Sequence, residues 1–74
     1  MTLAESKEGD FLKIIKIGGE GAIKQRLLDM GITRGEKIKV NRYAPLKDPI
    51  QITVKGYSLA LRVSEGQDIN VEKL

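Results

Sequence analysis

The clearest pattern along the chain is a helical one over residues 20–30. Ile23, Leu27 and the last residue of this segment recur at i, i+4 and i+7, so they share one face of a helix, and polar residues occupy most of the rest. Gly31 then stands where a left-handed residue ends a helix, and Ile32 follows at the position that covers the last turn. The pattern therefore predicts a helix that ends at a glycine stop, with Ile23, Leu27 and Ile32 in the core.

Beyond this stop, apolar and polar residues alternate with the period of two that is typical of β-strands. A tight turn at "TRGE", with Gly35 free to adopt positive φ, leads into "EKIKVNRY", and "PIQITVK", "YSLALRV" and "INV" follow as three more strands. Lys55-Gly56 and "SEGQD" are predicted turns, and residues 44–49 form a loop whose prolines exclude ladder hydrogen bonds. Ile38 and Val40 are predicted to face in. Each later strand is predicted to place its apolar residues on one side, with Ile50, Ile52 and Val54 together in one and Tyr57, Leu59, Leu61 and Val63 together in the next.

Before the helix, "GDFLKIIKIGG" predicts a first strand bounded by glycines. Its alternation is imperfect, because Leu12 and Ile14 point to one face while Ile15 and Ile17 point to the other. A bulge or a strong bend at Ile14 and Ile15 reconciles the two halves of the strand.

In "TLAE", residues 2–5, Thr2 and Glu5 have the spacing of a capping box and predict one short helical turn that lays Leu3 on the core. The order is then strand, helix and four further strands. In 74 residues this makes a single domain, residues 1–74, that is mainly β. About five short strands with one covering face curl most economically into a small closed or half-closed barrel, with the helix inserted after the first strand.

The composition excludes most kinds of catalytic site and metal site. No histidine and no cysteine occur among the 74 residues, so the commonest general base, the commonest transition-metal ligands and every Ser-His or Cys-His arrangement are excluded. "GGEG" before the helix lacks the Lys and Ser/Thr of a phosphate-binding loop. We therefore predict a protein that is not an enzyme and has no cofactor and no metal site.

Charge and hydropathy limit the possible partners and the expected cellular location. Thirteen basic and ten acidic residues interleave along the chain, so the net charge of +3 favours a solubility role over a nucleic-acid track. The aromatic residues Phe11, Tyr43 and Tyr57 are few for a base-stacking or proline-binding surface. No signal-peptide pattern opens the chain and no apolar run approaches the ~20 residues that span a bilayer, so the cytoplasm is the expected location.

Five stretches of the chain resemble the family of ferrous iron transport protein A (FeoA), which also occurs as the C-terminal SH3-like domain of some iron-dependent repressors. They are "TLAESKEGD", "RLLDMGITRGEKIKV", "AP" followed by "DPI", "GYSLALR" and the final "INV", and they cover nearly the whole chain. The resemblance implies a small SH3-like barrel with a helix after the first strand, in agreement with the order above. One departure is Gly66 in "SEGQDI", where the family usually has an alanine that opens a short helical turn.

The resemblance also implies a function. It indicates a small cytosolic accessory protein of ferrous iron uptake that acts by protein–protein interaction with the membrane ferrous-iron permease FeoB and its GTPase domain. The family is described as binding transition metal ions as well, although this chain offers only oxygen ligands. Two alternatives stay open at this point, namely an SH3-like regulatory domain related to iron-dependent repressors and a nucleic-acid-binding small barrel.

The corner between the helix and the next strand is the predicted contact surface for the permease. Leu28 and Met30 supply its apolar part, and Arg26, Arg34 and Lys47 supply the charged rim that transient interfaces carry. Leu28 lies off the core stripe of the helix, so an exposed leucine there predicts a partner contact. The alternative is that Leu28 packs beneath the N-terminal turn, beside the leucine of that turn.

Overall fold

The computed structural model describes residues 1–19 and 21–74, which form seven elements after an N-terminal 3-10 turn (Leu3–Glu5). In chain order these are β1 (Phe11–Ile17), α1 (Gly21–Asp29), β2 (Lys37–Tyr43), β3 (Ile50–Val54), β4 (Tyr57–Leu61), α2 (Val63–Gly66) and β5 (Ile69–Lys73). The predicted order, mainly β with a helix after the first strand, is confirmed. Glu20, where the predicted helix began, lies outside the described residues, and Met30 follows the end of α1.

The strands form one antiparallel sheet in the order β4-β3-β2-β1-β5. Apolar side chains from all five strands meet in a single core, so the sheet curls around it. β4 and β5 are the two edges of this sheet, and within the described part of the chain they are not paired with each other. The barrel is therefore half closed, which is one of the two forms that the pattern predicted.

The core is built from every strand, the N-terminal turn, α1 and the residue after the helix stop. Every inward position predicted for β2 and β3 belongs to it. Leu3 is fully buried and the Glu5 carboxylate accepts a hydrogen bond from the Thr2 backbone N–H at 2.8 Å, which confirms the predicted turn. The buried apolar residues are Leu3, Leu12, Ile14, Ile17, Leu27, Ile32, Ile38, Val40, Ile50, Ile52, Val54, Leu61, Ile69 and Val71.

β1 contains the irregularity that its apolar pattern requires. Its pairing with β5 shifts register between Ile14 and Lys16. As a result Leu12, Ile14 and Ile17 all reach the core, while Ile15 remains 38% exposed. The predicted bulge is confirmed, and it turns Ile15 outward.

α1 ends in the predicted glycine stop. Gly31 has a φ of 89° and its N–H donates to the Leu28 carbonyl oxygen, while the Ile32 N–H donates to the Leu27 carbonyl oxygen, both at 3.0 Å. This is the Schellman pattern, with Ile32 buried beneath the last turn. The prediction that Ile23 lies in the core was wrong, because its side chain is 51% exposed. Within Gly21–Asp29 only Leu27 is buried, so the first turn of α1 does not reach the core.

Two predictions around β4 were also wrong. Val63 begins the helical turn α2 instead of continuing the strand, so most of "SEGQD" is helical and not a simple turn. Gly66 suits this turn, since a Cβ there would lie 3.3 Å from the Ala4 backbone nitrogen. Tyr57 is 46% exposed, and its hydroxyl donates a hydrogen bond to the Met30 carbonyl oxygen.

Candidate partner-binding site

Apolar side chains remain exposed on α1 around its single buried residue, Leu27. Ile23 is 51% exposed and Leu28 is 37% exposed, and neither belongs to the core. Leu28 is therefore accessible from outside. We define Ile23, Arg26, Leu28 and Met30 as the α1 surface.

Met30 joins this surface to the sheet. Its side chain is half-buried against the core, and its carbonyl oxygen accepts the hydrogen bond from the Tyr57 hydroxyl. A Cβ at position 31 would lie 2.8 Å from that hydroxyl oxygen, so Gly31 leaves the room that the contact needs. Met30 thus offers a partner only the part of its side chain that the core leaves uncovered.

Arg26 is an ion-paired residue and not a free rim charge. Its Nη1 lies 3.1 Å from Oε2 of Glu65, whose side chain is only 8% exposed. The other carboxylate oxygen, Oε1, accepts a hydrogen bond from the Arg62 backbone N–H at 2.9 Å. Because a buried carboxylate without partners is costly, Arg26 ties α1 to α2. The Arg26 side chain is still 60% exposed, so its outer side is open to a partner.

A groove of about 770 Å³ lies between the N-terminal segment and the loop that joins β2 to β3. Its walls are residues 4–8, residues 43–45, Lys47 and Val63. The Tyr43 hydroxyl donates to the Ser6 carbonyl oxygen at 2.5 Å, and the Glu8 carboxylate accepts from the Tyr43 N–H at 3.1 Å. These bonds connect one wall of the groove to the other, and Lys47 and Lys7 are the cations that line it.

The five residues predicted as partner contacts fall in three places. Arg26, Leu28 and Met30 share the α1 surface, whereas Lys47 borders the groove. Arg34 lines a different pocket, of about 400 Å³, together with Lys13, Ile14, Ile15 and Gly35. Three of the five residues therefore lie on α1 or directly after it, although Arg26 and Leu28, two positions apart, point to different sides of the helix.

Ionisable side chains form no metal-like cluster in residues 1–19 and 21–74, where no three His, Cys, Asp or Glu side chains converge. The hydrogen bond from the Thr2 backbone N–H holds the pKa of the Glu5 carboxyl below its ordinary value, which is the signature of the cap at the N-terminal turn. As for membranes, none of the helices in the described residues is long and apolar enough to cross one.

Sequence reasoning missed Glu65, whose buried carboxylate joins the two helices. A signal was present, because Glu65 is the third residue after Arg62 just as Glu5 is the third after Thr2. In that spacing the carboxylate accepts a hydrogen bond from the N–H of the residue that begins the helix. The signal is weak at α2 because arginine is not a residue type that usually caps helices.

Comparisons with known proteins agree with this architecture. The model of the FeoA domain family matches residues 1–73. An FeoA-like protein of Clostridium acetobutylicum, solved by NMR, superposes with a TM-score of 0.94 at 42% identity, covering 100% of this chain and 86% of that one. The FeoA of Stenotrophomonas maltophilia, a prokaryotic SH3 domain protein crystallised with zinc, superposes with a TM-score of 0.84 at 26% identity, covering 97% and 89%. The predicted SH3-like barrel is thereby confirmed.

One relative joins two proteins in a single polypeptide. It is a fusion of Fe(2+) transport protein A with the Fe(2+) transporter FeoB from Porphyromonas gingivalis, and it is 36% identical to this chain over 72 residues. The match covers 97% of this chain but only 8% of the fusion protein, so this chain spans a small part of that relative's length.

Proposed function

This chain belongs to the FeoA family, and we propose that it serves ferrous iron uptake as an accessory protein that binds the ferrous-iron permease FeoB at the cytoplasmic face of the membrane. The fusion protein of Porphyromonas gingivalis is the observation that carries this proposal. A fusion keeps two domains at a high effective concentration, so that they associate readily. Separate proteins must reach the same association through affinity. The role is that of a binding module, and no catalytic step is assigned to it.

The α1 surface is the part of the molecule that we assign to this contact. Interfaces of transient complexes combine an apolar centre with a polar rim. Leu28 and Ile23 supply exposed apolar area at 37% and 51%, and Arg26, three residues after Ile23 on the helix, has a side chain that is 60% exposed. α1 is held by buried Leu27 and by the Arg26–Glu65 ion pair, so these side chains are presented on an anchored element.

Arg34 and Lys47 lie away from the α1 surface and take a different role in this proposal. Both are exposed, and in this proposal they act as cations at a distance from the apolar contact. Rim charges act mainly on the rate of association and lose their effect as salt rises. Arg34→Glu should therefore slow association with the permease, and the change should grow as the salt concentration falls.

The test is an affinity measurement between this protein and purified FeoB permease in detergent. Leu28→Glu should weaken binding by roughly tenfold or more, because a charge would enter the apolar centre of the interface. Leu46→Glu is the matched control, since it makes the same change at a leucine that is 90% exposed beside the rim residue Lys47, where an added charge should only slow association. The urea midpoints of both variants should equal that of the wild type.

The outcomes separate the proposal from its surface assignment. Failure of the wild type to bind the permease would overturn the proposed function. Equal weakening by Leu28→Glu and Leu46→Glu would overturn the assignment to α1. Ile23→Glu provides a second charge on the same surface, at a side chain that is 51% exposed, should Leu28→Glu unfold the protein.

A further inference from the structure

The outward side of β1, β2 and β5 carries a surface of which the contact with the permease uses only Arg34. In these strands the residues that alternate with the core positions point to solvent, and cross-strand register places them side by side: Phe11 opposite Lys39, and Lys13 between Lys37 and Glu72. We define the basic face as the outward residues of β1, of the first half of β2 and of the chain around the end of β5, together with the adjacent arginine. Its members are Phe11, Lys13, Ile15, Lys16, Arg34, Lys37, Lys39, Glu72 and Leu74.

Positive charge dominates this face. It holds four lysines and Arg34 against the single carboxylate of Glu72, and Lys13 stands directly opposite Lys37. Like charges directly opposite each other on a sheet are destabilising. The carboxylates that flank these strands face other cations, with Glu36 at 3.9 Å from Lys55 and Asp10 at 4.0 Å from Lys73. None of the five basic side chains has an ion-pair partner in the described part of the chain.

Large apolar side chains stand among these cations. Phe11 is 58% exposed and Leu74 is 63% exposed, and the two are neighbours because the Leu74 N–H donates to the Phe11 carbonyl oxygen at 3.0 Å. Ile15, turned outward by the bulge, is 38% exposed on the same face. The Lys39 ammonium lies 5.4 Å from the centre of the Phe11 ring, so charge and apolar surface are interleaved.

We propose that the basic face docks peripherally on an anionic lipid bilayer. Its lysines and Arg34 would contact the anionic headgroups, while Phe11 and Leu74 would enter the boundary between headgroups and acyl chains. Basic residues around exposed apolar side chains have the chemistry of such a surface. A single-stranded nucleic acid is a poorer match, because bases stack on aromatic rings and Phe11 is the one aromatic side chain among the members of this face.

This docking does not rest on the proposed contact with the permease. Apart from Arg34, the basic face is formed by β1, β2, β5 and the residue after β5, whereas the α1 surface lies on the helix and the residue after it. Vesicles contain lipid and no permease, so a negative result with vesicles would leave the proposed function untouched. A negative result with the permease in detergent would likewise leave the lipid proposal untouched.

The test is co-sedimentation with vesicles of phosphatidylcholine, with and without a third of phosphatidylglycerol. The wild type should bind the anionic vesicles at low salt, and it should not bind pure phosphatidylcholine. The double variant Lys37→Glu with Lys39→Glu should lose about tenfold or more in partitioning. The control double variant, Lys7→Glu with Lys24→Glu, makes the same change of net charge at exposed lysines outside the face, and it should lose less than about threefold.

A second pair of variants tests the apolar part of the face. Phe11→Ser should weaken binding to the anionic vesicles most clearly at raised salt, where headgroup attraction is screened. Leu46→Ser is its control, because Leu46 is more exposed than Phe11 but lies outside the face. Removing the Lys13–Lys37 repulsion should leave the lysine variant at least as resistant to urea as the wild type, so loss of binding would not reflect unfolding.

Three results would overturn the proposal. One is an equal loss of binding in the two double variants, which would show an effect of net charge alone. Another is equal binding to neutral and anionic vesicles. The third is tight binding to a DNA or RNA oligonucleotide with no binding to vesicles, which would make the basic face a nucleic-acid surface.

Discussion

Leu27 and Ile23 stand one helical turn apart on α1, and only Leu27 is enclosed by the core. Leu27 is fully buried, whereas Ile23 is 51% exposed. We expect Leu27→Ala to lower the free energy of unfolding by about 2–5 kcal/mol, since it removes buried methyl groups and leaves a cavity. Ile23→Ala should change it by less than about 0.5 kcal/mol. Urea unfolding of the two variants measures both values, and similar losses would mean that α1 is anchored differently.

Gly31 and Gly35 share a left-handed backbone but differ in what surrounds them. Their φ angles are 89° and 87°, yet a Cβ at Gly31 would lie 2.8 Å from the Tyr57 hydroxyl oxygen, while nothing lies within 4 Å of one at Gly35. An alanine at either position bears the left-handed penalty of about 1–2 kcal/mol. Gly31→Ala should cost about 1 kcal/mol more, because it also displaces the hydrogen bond from Tyr57 to Met30.

The same measurement in a second background checks this explanation. In Tyr57→Phe, which lacks both the hydroxyl oxygen and its hydrogen bond, Gly31→Ala and Gly35→Ala should have equal costs. A difference that persists there would locate the effect in the backbone at Gly31 and not in the contact with Tyr57.

At the scale of elements, the N-terminal turn and α2 are built with the same local interaction. In each, a glutamate accepts the backbone N–H three residues before it, Glu5 from Thr2 and Glu65 from Arg62. Only the second glutamate is buried, and it also takes the Arg26 guanidinium. The helical turn at α2 therefore depends on a residue of α1, whereas the N-terminal turn is capped from within.

This dependence gives a prediction for the Arg26–Glu65 pair. Arg26→Ala should lower the free energy of unfolding by about 1–3 kcal/mol, because one oxygen of a buried carboxylate loses its partner. In a Glu65→Gln background the same change should cost less than about 0.5 kcal/mol, since no buried charge remains. Lys24→Ala, at an exposed position of α1, is the control for helix propensity. Equal costs of Arg26→Ala in the two backgrounds would show that the ion pair does not couple the helices.

The cap at Glu5 predicts a dependence on pH. Its pKa is lower in the folded chain than its ordinary value, chiefly through the Thr2 backbone N–H, so the ionised carboxylate stabilises the fold at neutral pH. This contribution is lost as the pH falls through the folded-state pKa. The urea midpoint of Glu5→Gln should therefore fall less between neutral and acidic pH than that of the wild type. Parallel decreases would show that the cap makes no contribution.

Elements that place one whole face in the core are the ones whose details the sequence could predict. In β2 and β3 every inward position was correct, because alternation and burial have the same period there. α2 is a single turn and has no helical period of its own, so the apolar alternation of β4 predicts Val63 as one more residue of that strand. The prediction that Ile23 is buried was wrong for another reason. Helical spacing shows which residues share a face, but not how far the helix overlaps the core.

At the scale of the whole molecule, the surface was harder to predict than the core. Arg26 and Arg34 are near each other in the chain, but the turn after α1 carries Arg34 to the pocket beside β1. Arg26 instead forms an ion pair with Glu65, which is distant from it in the sequence. Periodicity along the chain identifies the core positions. The set of exposed residues that share a surface depends instead on the register of strands that are distant in the sequence. The basic face is such a case, because Lys13 and Lys37 become neighbours only when β1 pairs with β2.

Ferrous iron is the substrate of the proposed uptake system, and we expect this domain not to hold it. The chain has no histidine and no cysteine, and in the part of it that the structure describes no three acidic side chains converge. Nitrogen and sulfur ligands are what distinguish Fe²⁺ from Mg²⁺ and Ca²⁺ in proteins, and scattered carboxylates bind all three weakly.

Anaerobic calorimetric titration with Fe²⁺ should therefore show no saturable site tighter than about 1 mM. EDTA should leave the urea midpoint of the protein unchanged, because no bound metal contributes to its folding. A stoichiometric site with a Kd of about 1 μM or tighter would overturn this expectation. Asp→Asn and Glu→Gln substitutions would then identify its ligands.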